Sequence, residues 1–282
     1  MKKNVIITSS NKRDGGFLVD HWLRSLKENV DLRNIDIIVQ DYGLSRAQVL
    51  KLKNEKVIVI KGNKKSHIVN QRFIDAGSYL PERDYDQVLF CDGGDIIFQE
   101  NISHLFNKNN NVFRAVPLDM EMLFFEYYIP GNFSKALGKR IYEFLKDKPI
   151  LNAGFILAPK SKFVNLCREI KKLVKNKDRY GPDQIVFNYF IYRDSVIFLD
   201  KKYNFLINVG KIGFKLKEGV FYKKNGEKIA VVHNAGRSEP LRLINNFGYG
   251  RQFNKTKELL FTLKKIFYAN MAKLKDIAKL RI

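Results

Sequence analysis

Two carboxylates bracket two glycines at Asp92-Gly93-Gly94-Asp95, directly after the apolar run Val88-Leu89-Phe90-Cys91 and directly before Ile96-Ile97-Phe98. Hard oxygen ligands at this spacing suit Mg²⁺ or Mn²⁺ shared with substrate phosphates, and the glycines let the backbone bend between them. A metal held there would also make a diphosphate a better leaving group. The same four residues would serve equally as a turn in which Asp and Gly supply only geometry. The four histidines (21, 67, 104 and 233) are scattered, and the two cysteines, Cys91 and Cys167, sit in apolar runs. That count excludes a zinc finger and favours buried free thiols over a disulfide.

In open α/β sheets, ligands gather at the carboxyl ends of the strands, so the elements upstream of the carboxylates decide where they sit. Residues 4–10 (NVIITSS) read as a buried strand ending in small polar residues, and 17–30 carry apolar residues at helical spacing. A second strand and turn follow over 35–45, a short helix over 46–53 and a third strand over 56–62. A helix over 69–81 stops at Pro81, and 86–98 reads as a fourth strand carrying the carboxylates. This alternation predicts an α/β fold with a parallel-rich sheet covered by helices.

Farther on, 111–119 reads as a strand, 120–148 as aromatic, basic and helical, and 150–159 as a strand. Helices are expected over 162–176 and 182–192, the latter with Pro182 in its first turn. Strands are expected over 196–200 and 228–236. The whole reads as one catalytic-type domain over 1–253 followed by a basic amphipathic helix over 254–282. In that helix Leu260, Leu263, Phe267, Met271, Leu274 and Ala278 form one stripe, and eight Lys or Arg stand against Glu258 and Asp276. Such a helix can lie in the headgroup region of an anionic membrane, or pack on the domain with its lysines solvated.

Lys and Arg number 51 against 29 Asp and Glu, a net charge of +22. That excess predicts attraction to polyanions: nucleic acid, an anionic membrane surface or nucleotide phosphates. No helix-turn-helix, zinc or RNA-recognition signature accompanies it, so specific nucleic-acid binding is the weaker reading. The opening MKKNVIITSSN holds only the three-residue apolar run Val5-Ile6-Ile7, a first strand rather than a signal peptide. No window approaches the roughly 18 apolar residues of a membrane span. A cytoplasmic protein is expected, with the terminal helix as the element that would hold it on the inner face of the cytoplasmic membrane.

Six further stretches occur in an order that resembles glycosyltransferase family 8, the glycogenin and lipopolysaccharide galactosyltransferase group with the GT-A fold. VIITSSN (5–11) resembles the first strand and nucleotide-base loop, with Thr8, Ser9 and Ser10 at its end. IIVQDYGLS (37–45) resembles the second strand and its turn, and Arg72 in NQRFIDAGSYLP the arginine on the helix before the metal motif. LNAGFILAP (151–159), GPDQIVFN (181–188) and VVHNAG (231–236) resemble the Asn-Ala-Gly strand, the Asp-Gln helix start and the late His-X-X-Gly motif. The resemblance implies a Rossmann-like, mixed and mostly parallel sheet flanked by helices. It implies metal-dependent, retaining transfer of a hexose from a nucleotide sugar, most commonly a UDP-sugar, to a glycan or lipid-linked saccharide in surface polysaccharide or lipopolysaccharide synthesis.

For individual residues it implies that Asp92, Asp95 and His233 hold Mn²⁺ (or Mg²⁺). Thr8, Ser9, Ser10, Arg72, Asn152, Gly154, Gly236 and Arg237 would contact the donor, and Asp183 and Gln184 would face the sugar near the reacting carbon. Asp183 would also suit a plain helix start, where a carboxylate complements the dipole. Two residues separate the aspartates where the family usually has one, and Glu239 stands where a lysine would meet the diphosphate. A relative that keeps the fold without turnover is therefore the alternative reading.

Overall fold

The computed structural model describes residues 3–118, 125, 128–207, 213–235 and 263. Strand β1 (Asn4–Ser10) is buried along both faces, as a central strand with helices on either side requires. Next come α1 (Gly15–Phe17), a π-helical stretch (Leu18–Leu23) and α2 (Arg24–Asn29), which together make the helix expected over 17–30. Strand β2 (Ile35–Asp41) leads to α3 (Arg46–Asn54), opened by a capping box in which Ser45 Oγ accepts the Gln48 N–H and Gln48 Oε1 accepts the Ser45 N–H. Strand β3 (Ile58–Lys61) and helix α4 (Ile68–Tyr79) follow, and Pro81 falls in a 3-10 turn over Leu80–Glu82.

The single strand expected over 86–98 is two strands. Strand β4 (Gln87–Cys91) stays in the main sheet, and β5 (Ile96–Phe98) leaves it for a second sheet. Between them Gly93 passes so close to β1 that a Cβ there would lie 2.4 Å from Thr8 Oγ1. Both halves are apolar and buried, so periodicity alone runs them together.

The second half supplies β6 (Phe113–Pro117), α5 (Lys135–Leu145), β7 (Leu151–Pro159), α6 (Lys160–Leu173) and α7 (Pro182–Ile191). Short strands complete the described chain: β8 (Val196–Phe198), β9 (Phe205–Leu206), β10 (Phe214–Lys217), β11 (Val220–Lys223) and β12 (Val231–His233). The main sheet has seven strands in the order β3-β2-β1-β4-β7-β6-β8. Strand β7 runs antiparallel to β4 and β6, and the other pairings are parallel. This is the mixed, mostly parallel α/β architecture expected.

One core, with Phe73, Phe90, Phe163 and Phe187, lies under α4, α6 and α7. The other, with Trp22, Phe98, Phe106 and Phe155, receives Leu18, Leu23 and Leu26 from the first helical stretch. A small sheet, β5-β12-β9, sits at the end of β4. Among the described residues no helix is long and apolar enough to cross a membrane. Gly236, Arg237 and the basic helix expected over 254–282, Leu263 excepted, lie outside the described residues.

Candidate active site

Because β7 is antiparallel to β4, its first residues lie beside the end of β4. The register pairs Cys91 with Phe155, and one step on, the Asp92 N–H donates to Gly154 O at 2.9 Å. The second sheet brings the far part of the chain to the same place. His233 pairs with Ile96 across the β5–β12 ladder, and the Asn234 N–H donates to Asp95 O at 2.9 Å. One ligand atom from each of Asp92, Asp95 and His233 therefore lies within 4.8 Å of the others. His233 Nε2 is 3.4 Å from Asp92 Oδ2 and 3.5 Å from Asp95 Oδ1.

His233 is fully buried and Asp95 nearly so. Burial opposes charge on the imidazole, but the Asp95 and Asp92 carboxylates outweigh it and hold its pKa up at about 9. Burial would likewise raise Asp92, yet Arg72 and His233 pull it well below the ordinary carboxylate range. Gly154 leaves no room for a side chain here: a Cβ would lie 2.6 Å from Asp92 Oδ2 and 2.7 Å from His233 Cε1.

Helix α4 delivers Arg72 to the opposite side of Asp92. Its Nη1 donates to Asp92 Oδ1, and its Nη2 lies 3.9 Å from Asp183 Oδ2. The guanidinium also sits 5.3 Å from the ring centres of both Phe73 and Phe90. Asp183 opens α7 behind Gly181, whose φ of +105° only glycine adopts readily, while Pro182 sets the first turn. Burial lifts Asp183 to about 6, against the pull of Arg72 and of the amides at the helix start. Gln184, one position on, has both ends of its side chain engaged: Oε1 accepts the Ala153 N–H at 2.8 Å and Nε2 donates to Leu151 O.

Arg72, Asp92, Asp95, Asp183 and Gln184 line a cleft of about 710 Å³ together with Ser9, Asn152 and Gly154, while the fully buried His233 is not on its wall. Of the three residues expected at the end of β1, Ser9 lies on the cleft wall. Thr8 Oγ1 sits against Gly93, and Ser10 is buried with its hydroxyl donating to Asn11 O. Asn152 is on the wall, but its Oδ1 is occupied, accepting from Gly154 N at 2.8 Å and from Asn204 Nδ2 at 3.2 Å.

The sequence reading missed Asn11, Arg13, His67, Tyr128 and Tyr180, which also line the cleft. His67 and Tyr180 come together because Asn70 holds the 177–179 segment, donating to Lys177 O and Arg179 O. Asn11 closes the VIITSSN stretch, but no local signal marks Arg13, His67, Tyr128 or Tyr180, each an ordinary loop or helix residue by sequence. Asn204, hydrogen-bonded to His233, was missed for the same reason.

A family model described as "Glycosyl transferase family 8" matches residues 36–240, well over half of the chain. No curated protein matches the chain by sequence. Among solved structures, the galactosyltransferase LgtC in complex with donor and acceptor sugar analogs superposes with a TM-score of 0.56 at 16% identity, covering 92% of this chain and 95% of that one. An active-site mutant of LgtC gives 0.55 at 17% identity, covering 92% and 94%. The bifunctional glycosyltransferase WbbM, without ligand, gives 0.53 at 16% identity, covering 85% of this chain and 47% of that one.

Proposed function

The chain belongs to glycosyl transferase family 8, and from that premise we propose that it moves a hexose from a UDP-linked sugar to a saccharide hydroxyl, with retention at the anomeric carbon and with Mn²⁺ or Mg²⁺ held by Asp92, Asp95 and His233. The observation that carries the reading is the meeting of those three side chains at the end of β4. Asp95 Oδ1 and His233 Nε2 are buried without a hydrogen-bond partner among the described residues, and a divalent cation would satisfy both. Two carboxylates and one imidazole suit Mn²⁺ in particular. When bound, the ion supplies charge neutralisation for a departing diphosphate.

The remaining steps belong to the chain. Arg72 keeps Asp92 ionised and fixed, and balances Asp183 across the cleft. Among the described residues lining the cleft, Asp183 is the one carboxylate outside the metal set. Its ionised form would stabilise the positive charge that develops on the sugar ring. Retention then proceeds by front-face attack, with the leaving phosphate taking the acceptor's proton, or through a short-lived adduct on Asp183. Gln184 holds the first residues of β7 at the reacting centre through its two bonds to the strand. Asn152, with its oxygen already engaged, meets the donor sugar through its amide N–H groups, and Ser9 lies where the nucleoside would enter. Gly236 and Arg237 are proposed as further donor contacts.

The acceptor is a glycan or lipid-linked saccharide, as in surface polysaccharide or lipopolysaccharide synthesis, and residues 254–282 would hold the enzyme on an anionic membrane surface. The fold shared with a galactosyltransferase solved with donor and acceptor analogs supports the first part; the basic stripe supports the second. UDP-sugar hydrolysis tests the core of the reading: it should stop in EDTA and return with Mn²⁺. Full activity in EDTA rejects the metal, and no turnover of any UDP-sugar leaves a noncatalytic relative. Liposome co-sedimentation that is unchanged when the chain ends at Phe253 rejects the membrane contact.

A further inference from the structure

A chain of hydrogen bonds behind the metal-binding trio begins at a backbone amide. The Gly154 N–H donates to Asn152 Oδ1 at 2.8 Å, which identifies that atom as the oxygen of the Asn152 amide. Asn204 lies 3.2 Å from the same oxygen, so it must present its NH₂ group there. Its own oxygen then faces His233 Nδ1 at 2.8 Å. Nδ1 must therefore carry a proton, and Nε2 is the nitrogen turned toward Asp92 and Asp95. The arrangement admits no flip: turning the Asn204 amide would set two oxygens against each other at Asn152. Asn204 and His233 are both buried. Asn204 itself is fixed by the strand it precedes, since β9 pairs with β12 and places Leu206 opposite His233.

We propose that Asn204 is a positioning residue for the metal site: it fixes the tautomer and ring orientation of His233, so that Nε2 and not Nδ1 is offered to the cation. Histidine ligands are commonly oriented in this way by an acceptor on the second ring nitrogen, and losing that acceptor typically costs 10–100-fold in metal affinity. Here the instruction originates in the backbone of β7. Gly154 thus serves both sides of the site, its N–H through Asn152 and Asn204 to His233, and its C=O directly to the Asp92 N–H.

The proposal rests on the metal-binding reading of Asp92, Asp95 and His233, and the test separates the two. Mn²⁺ binding by the full chain is measured by electron paramagnetic resonance of the free ion, with no turnover required. Asp95→Ala reports on the metal site itself. Asn204→Leu keeps the approximate size and removes the acceptor, and Asn204→Asp combined with Asn152→Ala keeps the acceptor without setting two oxygens against each other. Circular dichroism and melting check that each variant folds. The expected result is loss of binding in Asp95→Ala, a 10–100-fold weakening in Asn204→Leu, and an affinity for the double variant closer to wild type than to the leucine variant. Unchanged binding in Asp95→Ala overturns the metal reading. Lost binding there with wild-type affinity in Asn204→Leu overturns the role of Asn204 alone. If Asn204→Leu does not fold, the double variant decides: retained binding supports the acceptor role, and binding as poor as that of Asp95→Ala rejects it.

Discussion

Replacing Gly154 with alanine adds one methyl group at the point where β4, β7 and β12 converge. The new Cβ would lie 2.6 Å from Asp92 Oδ2, 2.7 Å from Asn152 Oδ1 and 2.7 Å from His233 Cε1. All three are well inside contact distance, and none yields freely. Asp92 is tied to Arg72, Asn152 to Gly154 N and Asn204, and His233 is fully buried. Relief therefore comes from displacing the side chains that would bind the cation. Overpacking of this kind costs about 1–3 kcal/mol, and each kcal/mol lowers the melting temperature by about 2–4 °C in a domain approaching this size. Mn²⁺ affinity should fall by about tenfold or more, as for other disruptions of the shell around metal ligands. Gly16→Ala is the control: nothing lies within 4 Å of its Cβ, and it sits in helix α1, where alanine is preferred to glycine by about 0.5–1 kcal/mol. Calorimetric melting and an Mn²⁺ titration read the two effects. A Gly154→Ala protein that melts and binds metal like the wild type would refute the packing argument.

Three further outcomes are expected. Arg72→Met removes the cation that pairs with Asp92 and faces the buried Asp183, and should cost about 3 kcal/mol or more in urea unfolding of the metal-free protein; a loss within error of a surface substitution would show that the pair contributes nothing. Asp183 binds its proton more tightly folded, at about 6, than unfolded at its ordinary 3.8. At this group the folded state thus holds more protons between those values, so its contribution to metal-free stability falls as pH rises from about 4 to about 6. Asp183→Asn should remove that fall and be more stable than wild type at pH 7 by up to about 3 kcal/mol, while kcat drops far more than nucleotide affinity. Parallel stability curves for the two proteins would refute the buried-charge account.

The first four strands were legible because each carries an apolar run of at least three residues and is separated from the next by a helical period. The division of residues 86–98 was not, because a strand that changes sheets and one that continues look alike when both halves are buried. Asp92 and Asp95 announced themselves by type and spacing. His233 did not: nothing local separates it from His21, His67 or His104, and it was found only through the order of motifs around it. Asn204 and the double engagement of Gln184 had no signal in one dimension, since an amide side chain shows its partners only after the strands beside it are placed. Thr8 and Ser10 were read with Ser9 as one group, but alternation along β1 puts one of the three on the cleft wall.

The small β5-β12-β9 sheet governs when, during synthesis, the site comes into being. All seven strands of the main sheet lie between residues 4 and 198. A nascent chain that has emerged to that point holds everything the main sheet needs, with both carboxylates attached at the end of β4. It lacks β9 and β12, and with them Asn204 and His233. Pairing β12 with β5 closes a very long loop, the slow kind of contact in folding, although the entropy of closure grows only gradually with length. Acquisition of the imidazole is thus expected to follow completion of the larger sheet. A ribosome-bound or truncated chain ending near residue 200 would carry both aspartates with β5 still lacking its strand partner β12, and would lack the imidazole that the proposed cation site needs.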